Sequence, residues 1–145
     1  MKLKTFDLSN SKTVVLKEPT IRISRSAGLI SFNKSVTELL AINNGQKIVF
    51  VQDEESPRDW FIKKATEPNA FLVRVVDDGR SDLNSTCIVH RIFESIEDGR
   101  KKYNAASFRI QPKPVEIDGE EYYLIITSNP MNVADNVKKT DNGPK

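Results

Sequence analysis

Between residues 20 and 51, apolar and polar positions alternate in a way that marks out one element after another. Ile21 and Ile23 alternate with Arg22 and Ser24, and Ile30 and Phe32 flank Ser31, which is the two-residue period of strands with one face in a core. Gly28 lies between these runs, where a tight turn uses positive φ. Ser35 and Glu38 have capping-box spacing, a hydroxyl and a carboxylate three residues apart that satisfy free N–H groups at a helix start. Val36, Leu39 and Leu40 then form one apolar face of a short helix. Asn43, Asn44 and Gly45 end it, and the strand-prone run 48–51 follows.

The same order returns later in the chain. An acidic, proline-broken loop, QDEESPRD at 52–59, joins strands predicted over 47–52 and 59–64, and a break follows at 65–70. Gly79 follows Gly28 by 79 − 28 = 51 residues, and Asn84 follows Asn33 by 84 − 33 = 51. That offset sets Leu72 on Ile21, Val73 on Arg22, Leu83 on Phe32 and Cys87 on Val36. Asn84, Ser85 and Thr86 offer N-caps for a helix over 88–96, ended by Asp98 and Gly99. Strands predicted over 106–111 and 122–127 flank a loop with Pro112, Pro114, Asp118 and Gly119, and the aromatics recur, Trp60-Phe61 against Tyr122-Tyr123. Agreement of element order over both halves points to a pseudo-repeat, 20–65 and 71–128. Residues 1–19 read as an N-terminal strand or arm carrying KTVVLK at 12–17, with Lys2, Lys4, Lys12 and Lys17 as its cations; 129–145 reads as a polar, mobile tail.

Gly28, Ile30, Phe32, a helix opening near Asn33 to Ser35, Val36, Leu39-Leu40, Ile42, Gly45 and the closing strand together resemble the AbrB/SpoVT swapped-hairpin barrel family over residues 20–51. The acidic-then-Gly-Arg stretch 77–80 is similar to the turn of that family too. The chain has Asn33 where the family usually has proline, Gln46 where it has aspartate, and Leu29 and Thr37 where basic residues are common. The resemblance implies half a small barrel per motif, two interlocked halves, and DNA binding of the kind found in transition-state regulators and antitoxins. With both motifs in one chain, the expected fold is mainly β, a tandem swapped-hairpin or double-psi-like barrel with two short helices. Such a barrel stands as a monomer with an internal pseudo-two-fold or as a homodimer.

Composition adds limits. With 22 basic and 20 acidic groups the formal charge is +2, so a polyanion partner requires locally clustered cations. Arg22, Arg25, Lys34, Arg74 and Arg80 are the candidates, brought to one side of the barrel by the pseudo-two-fold and able to grip phosphates or guanine edges of duplex DNA. The alternative is a protein-interaction module of the same fold, with Trp60, Tyr122 and Tyr123 as the contact patch. Trp60 also reads as a core plug. The single cysteine, Cys87, allows no internal disulfide, and the single histidine, His90, allows no multi-histidine metal site. Cys87 and His90 stand three apart on one helix face as a conceivable thiol and imidazole pair, but both fall where packing is expected and no oxyanion-binding glycine motif accompanies them. The acidic groups Asp53 to Glu55 and Asp77-Asp78 fall in turns without calcium-loop spacing. The expectation is therefore no enzyme, no metal and no cofactor. No apolar run reaches membrane-spanning length, and residues 1–10 lack the core of a signal peptide, so a cytoplasmic protein is expected.

Overall fold

Wherever the two-residue alternation occurs, the chain is extended and its apolar members face one interior. The computed structural model describes residues 1–3, 18–76, 78–97 and 102–135. The first half runs β1 (Thr20–Ser24), β2 (Leu29–Phe32), α1 (Lys34–Leu39), β3 (Lys47–Asp53) and β4 (Ser56–Ala65). The second runs β5 (Phe71–Leu72), β6 (Arg74–Val75), β7 (Ser81–Asn84), α2 (Thr86–Ile96), β8 (Tyr103–Ile110), β9 (Val115–Ile117) and β10 (Glu120–Asp135).

The strands pair in the order β5-β3-β4-β10-β8-β1-β2-β7-β6, with β9 added to β10. The ends of that path, β5 and β6, are separated in the chain by Val73 alone, so the sheet curls round into a nearly closed antiparallel barrel. At the seam the Val73 N–H donates to the Gln46 carbonyl at 2.9 Å. The interior holds Ile21, Ile23, Ile30, Phe32, Ile48, Ile62, Phe108, Ile110 and Ile125, all buried. Each such side chain contributes about 1.5–3 kcal/mol on leaving water. Helix α1 adds Val36 and Leu40 to the same core, and α2 adds Val89, Ile92 and Phe93.

The two halves are related through the pairing of β2 with β7. Ser31 stands opposite Asp82, Ile30 opposite Leu83 and Phe32 opposite Ser81. Since 82 − 31 = 51, adding 51 to the first-half partner carries each pair onto another pair of the same ladder, and an approximate two-fold passes between Ser31 and Asp82. Across the barrel β4 and β10 do the same. Ile62 faces Tyr123, Phe61 faces Leu124 and Trp60 faces Ile125, a register that maps onto itself about Phe61 and Leu124. The hairpins of the two halves meet edge to edge. The β1–β2 hairpin lies between β8 and β7, and the β6–β7 hairpin lies between β2 and the β3–β5 seam.

The repeated glycines sit where the two halves touch. Gly28 has φ +59 and Gly79 has φ +92, both in the left-handed region. A Cβ on Gly28 would stand 2.6 Å from Thr86 Oγ1, and one on Gly79 would stand 3.0 Å from Lys34 Cγ. Thr86 and Lys34 are the first residues of α2 and α1, so each turn is packed against the start of the other half's helix. The Ser85 N–H also donates to the Gly28 carbonyl at 2.9 Å.

Several expectations shift by a residue or more. The cap of α1 is Asn33, whose Oδ1 accepts from the Val36 N–H at 3.1 Å, so the helix starts before the Ser35 and Glu38 spacing suggests. Asn33 wins because it also accepts from the Thr20 N–H at 3.2 Å and donates to the Glu18 carbonyl at 2.8 Å, binding the helix start to the entry of β1. Ser85 caps α2, accepting from the Ile88 N–H at 3.2 Å. Cap to cap the offset is 85 − 33 = 52, one more than in the strands, so Cys87 matches Ser35 and not Val36. Strand β10 runs to Asp135, so residues 129–135, expected in the tail, are strand instead, paired with β8 through several register shifts. The run 12–17 and residues 136–145 lie outside the described residues.

Gly28→Ala is expected to lower stability by about 1–3 kcal/mol, from the left-handed backbone and the collision with Thr86. Thr86→Ala in the same chain should recover part of that loss. Urea unfolding of the two single variants and the double variant measures both effects, and strictly additive losses would rule out the contact as the cause.

Candidate functional site

The alternation that buries Ile21, Ile23, Ile30, Phe32 and Leu83 turns Arg22, Ser31, Asp82 and Arg74 to the outside of the barrel. Arg22 pairs with Ser31, Ser31 with Asp82 and Asp82 with Arg74, forming one row across β1, β2, β7 and β6. Arg22 and Arg74 occupy matching places on either side of the two-fold, offset by 74 − 22 = 52 because the second hairpin loop is one residue longer than the first. Three strand steps separate them, about 14 Å at the usual strand spacing. Arg22 donates through Nη1 to Ser107 Oγ at 3.0 Å and to the Asn132 carbonyl at 2.9 Å. Arg74 lies 2.8 Å from Asp82 Oδ1 and is 68% exposed. An ion pair this open is worth about 1 kcal/mol or less.

Lys34 and Arg80 meet at the Gly79 turn, beside the same strands. Lys34 is exposed, with its stem over Gly79, and Arg80 lies 2.7 Å from Asp78. The Arg80 hydrogen bonds hold the Asp78 carboxyl below the usual aspartate range. The structure thus gathers Arg22, Arg74, Lys34 and Arg80 around the β1–β2–β7–β6 part of the barrel.

Arg25 is not among them. It turns under the molecule, donating to Glu97 Oε2 at 2.7 Å and to the Tyr103 carbonyl at 3.0 Å, with its guanidinium 5.0 Å from the centre of the Phe93 ring. Its side chain is 17% exposed and that of Glu97 is 8% exposed. Glu97 also accepts from the Tyr103 N–H at 2.7 Å. The group ties the end of α2 to the β1–β2 turn and to β8, a structural use that leaves no free guanidinium for a ligand.

The aromatic patch expected from sequence also divides. Trp60 is buried, and its Nε1 donates to Ser95 Oγ at 2.9 Å, so it is the core plug and not a surface contact. Tyr122 is half-buried on the outer face, edge to face with Phe61 at 6.3 Å and within 5.7 Å of Lys63 Nζ. Around it lies a surface that the sequence reading missed. Val51, Phe61 and Leu124 form one outward row where the two-fold leaves the barrel, with Val49 and Ile126 beside it, all half-buried. The loss of alternation carries the signal, because the unbroken apolar runs 48–51 in β3 and 122–126 in β10 leave both faces of those strands apolar.

Tyr123 faces the end of α1 and lines a cleft of about 410 Å³ with Leu39, Leu40, Ala41, Lys63, Lys64, Glu120 and Glu121. Burial raises its phenol above the usual range. The matching place in the other half, beside Gln52, Pro57, Arg91, Glu94 and Ser95, measures about 200 Å³. The difference follows from helix length, since α2 has 11 residues and α1 has 6. Lys63 and Glu120, 2.7 Å apart, pair at the rim of the larger cleft.

Cys87 is exposed, contrary to the packing expected of it, and His90 is half-buried; they do not hydrogen-bond to each other. Among the described residues no group of three or more His, Cys, Asp and Glu side chains is placed to hold a metal ion. No helix among them is long and apolar enough to cross a membrane. Against family models, curated proteins and solved structures alike, the chain gives no match.

Arg25→Ala is expected to cost about 3 kcal/mol of stability, because it strands a nearly buried carboxylate. An unchanged denaturation midpoint would return Arg25 to the surface cations. The raised Tyr123 phenol favours the neutral form in the folded state, so its stabilisation is complete below the ordinary phenol value of 10.0 and is lost as pH rises through the folded value. Urea midpoints between pH 9 and about 11 should therefore fall less steeply for Tyr123→Phe than for the parent chain, and equal slopes would deny the shift.

Proposed function

We propose that this chain is a DNA-binding regulatory protein, a swapped-hairpin barrel of the AbrB-like kind that carries both halves in one chain and works in the cytoplasm. The observation that supports this most is the row Arg22, Ser31, Asp82 and Arg74, two matched arginines astride an approximate two-fold. Their backbone positions, about 14 Å apart, compare with a major groove about 12 Å wide, a spacing suited to backbone phosphates flanking one groove once Arg22 turns from Ser107 and Asn132. Lys34 and Arg80 extend the contact at the Gly79 turn. Arg74 is the exposed member of its pair with the largely covered Asp82, and turns outward from it to meet a phosphate. The chain carries its own two-fold, and a monomer presents the whole face.

A second reading has its own support. The outward row Val51, Phe61 and Leu124, with Tyr122 beside it, is an apolar surface of the kind that binds a protein partner. Val115 and Ile117 on β9 are exposed nearby in the chain.

Fluorescence anisotropy with a generic duplex of about 20 base pairs at about 50 and 200 mM salt separates the two readings. Affinity is expected to fall steeply with salt, and Arg74→Ala with Lys34→Ala should flatten the slope by about 2. Absence of binding at the lower salt would discard the DNA reading and leave the apolar row as the functional surface.

A further inference from the structure

The face astride the two-fold is symmetric in backbone and asymmetric in chemistry. At the axis Ser31 stands on one side and Asp82 on the other. Of the matched arginines, Arg22 is held by neutral acceptors, Ser107 Oγ and the Asn132 carbonyl, whereas Arg74 is held by the Asp82 carboxylate. The turns differ in the same sense. The Gly79 turn carries the Asp78–Arg80 ion pair with Lys34 laid over it, while the Gly28 turn packs against the uncharged Thr86 and sends its own cation, Arg25, inward to Glu97. A homodimer built from two identical motifs presents identical halves; this chain does not.

We infer that duplex DNA lies on the Arg22–Arg74 face in one orientation, so that the sequence it prefers is not a palindrome. The inference rests on the DNA-binding reading above. A duplex turned end for end exchanges the phosphates and base edges that meet Ser31 and Arg22 with those that meet Asp82, Arg74 and the charged turn. A carboxylate repels phosphate and accepts from cytosine N4, and a serine does neither of these in the same way. The two orientations therefore differ in energy, and a preference of tenfold needs only about 1.4 kcal/mol.

The molecule supplies the probe. Cys87 is the sole cysteine and is exposed near the start of α2, and its match under the two-fold is Ser35 near the start of α1. A duplex is first selected from a random library on the unmodified protein. An iron chelate attached to Cys87 should then cut that duplex at least tenfold more on one flank of the bound site than on the other. The same chelate on Ser35→Cys, in a Cys87→Ala chain, should cut the opposite flank. Equal cutting on both flanks by both probes, or a palindromic selected sequence, overturns the orientation while leaving DNA binding in place. If the unmodified protein retains no duplex at low salt, the inference and the reading beneath it fall together.

Discussion

The reciprocal seating of each hairpin turn against the first residue of the other half's helix is the constraint on which this barrel depends. Gly28 lies against Thr86, where a Cβ would collide with Oγ1, and Gly79 lies under the stem of Lys34, which a Cβ would push aside; both turns need the left-handed backbone of glycine. The contacts set where each turn meets the other half's helix, in keeping with the β2–β7 register. A slip of one residue there would send Ile30 and Phe32 outward and bring Ser31 into the core. The glycines, the register and the buried isoleucines thus hold one another in place.

From this follows the difference between the two places where the two-fold leaves the molecule. On one side the outward positions are Arg22, Ser31, Asp82 and Arg74; on the other they are Val51, Phe61 and Leu124. Backbone geometry is alike at both, so the contrast is written only in side chains. A polar, cation-bearing face and an apolar face at opposite ends of one axis give the barrel two surfaces that do not compete for the same ligand chemistry.

Much of this was legible in the residues. The alternation at Ile21, Ile23, Ile30 and Phe32 marked the strands, and Gly28 with Gly79 marked the related turns, because left-handed turns with no space beside them admit little else. What was not legible depended on contacts between distant segments. Arg25 sits in a turn where an exposed cation is the ordinary expectation, and only the return of Glu97 and Tyr103 to that turn, 97 − 25 = 72 and 103 − 25 = 78 residues later, draws it inward. The cap at Asn33 was hidden for the same reason, since Ser35 has the better local spacing but Asn33 has the partners at Glu18 and Thr20. The match of Arg22 with Arg74 was obscured by the extra residue in the second hairpin loop, which a single fixed offset does not allow for. The continuation of β10 past Thr127 was missed because Asn129, Pro130 and Asn132 read locally as loop.

The pairing of strands far apart in the chain also bears on how the protein is made. Arg22 pairs across to Ser107, 107 − 22 = 85 residues further along, and the β1–β2 hairpin has strands of the second half on both its edges. While a ribosome is still extending the chain, β2 waits for β7, and β1 and β4 lack their outer partners until β8 and β10 emerge. Assembly is therefore a late event dominated by long-range pairing, which is slow and leaves apolar strands open to other nascent chains. The shelter that a growing polypeptide finds in chaperones matters more for this architecture than for a barrel built from successive neighbours.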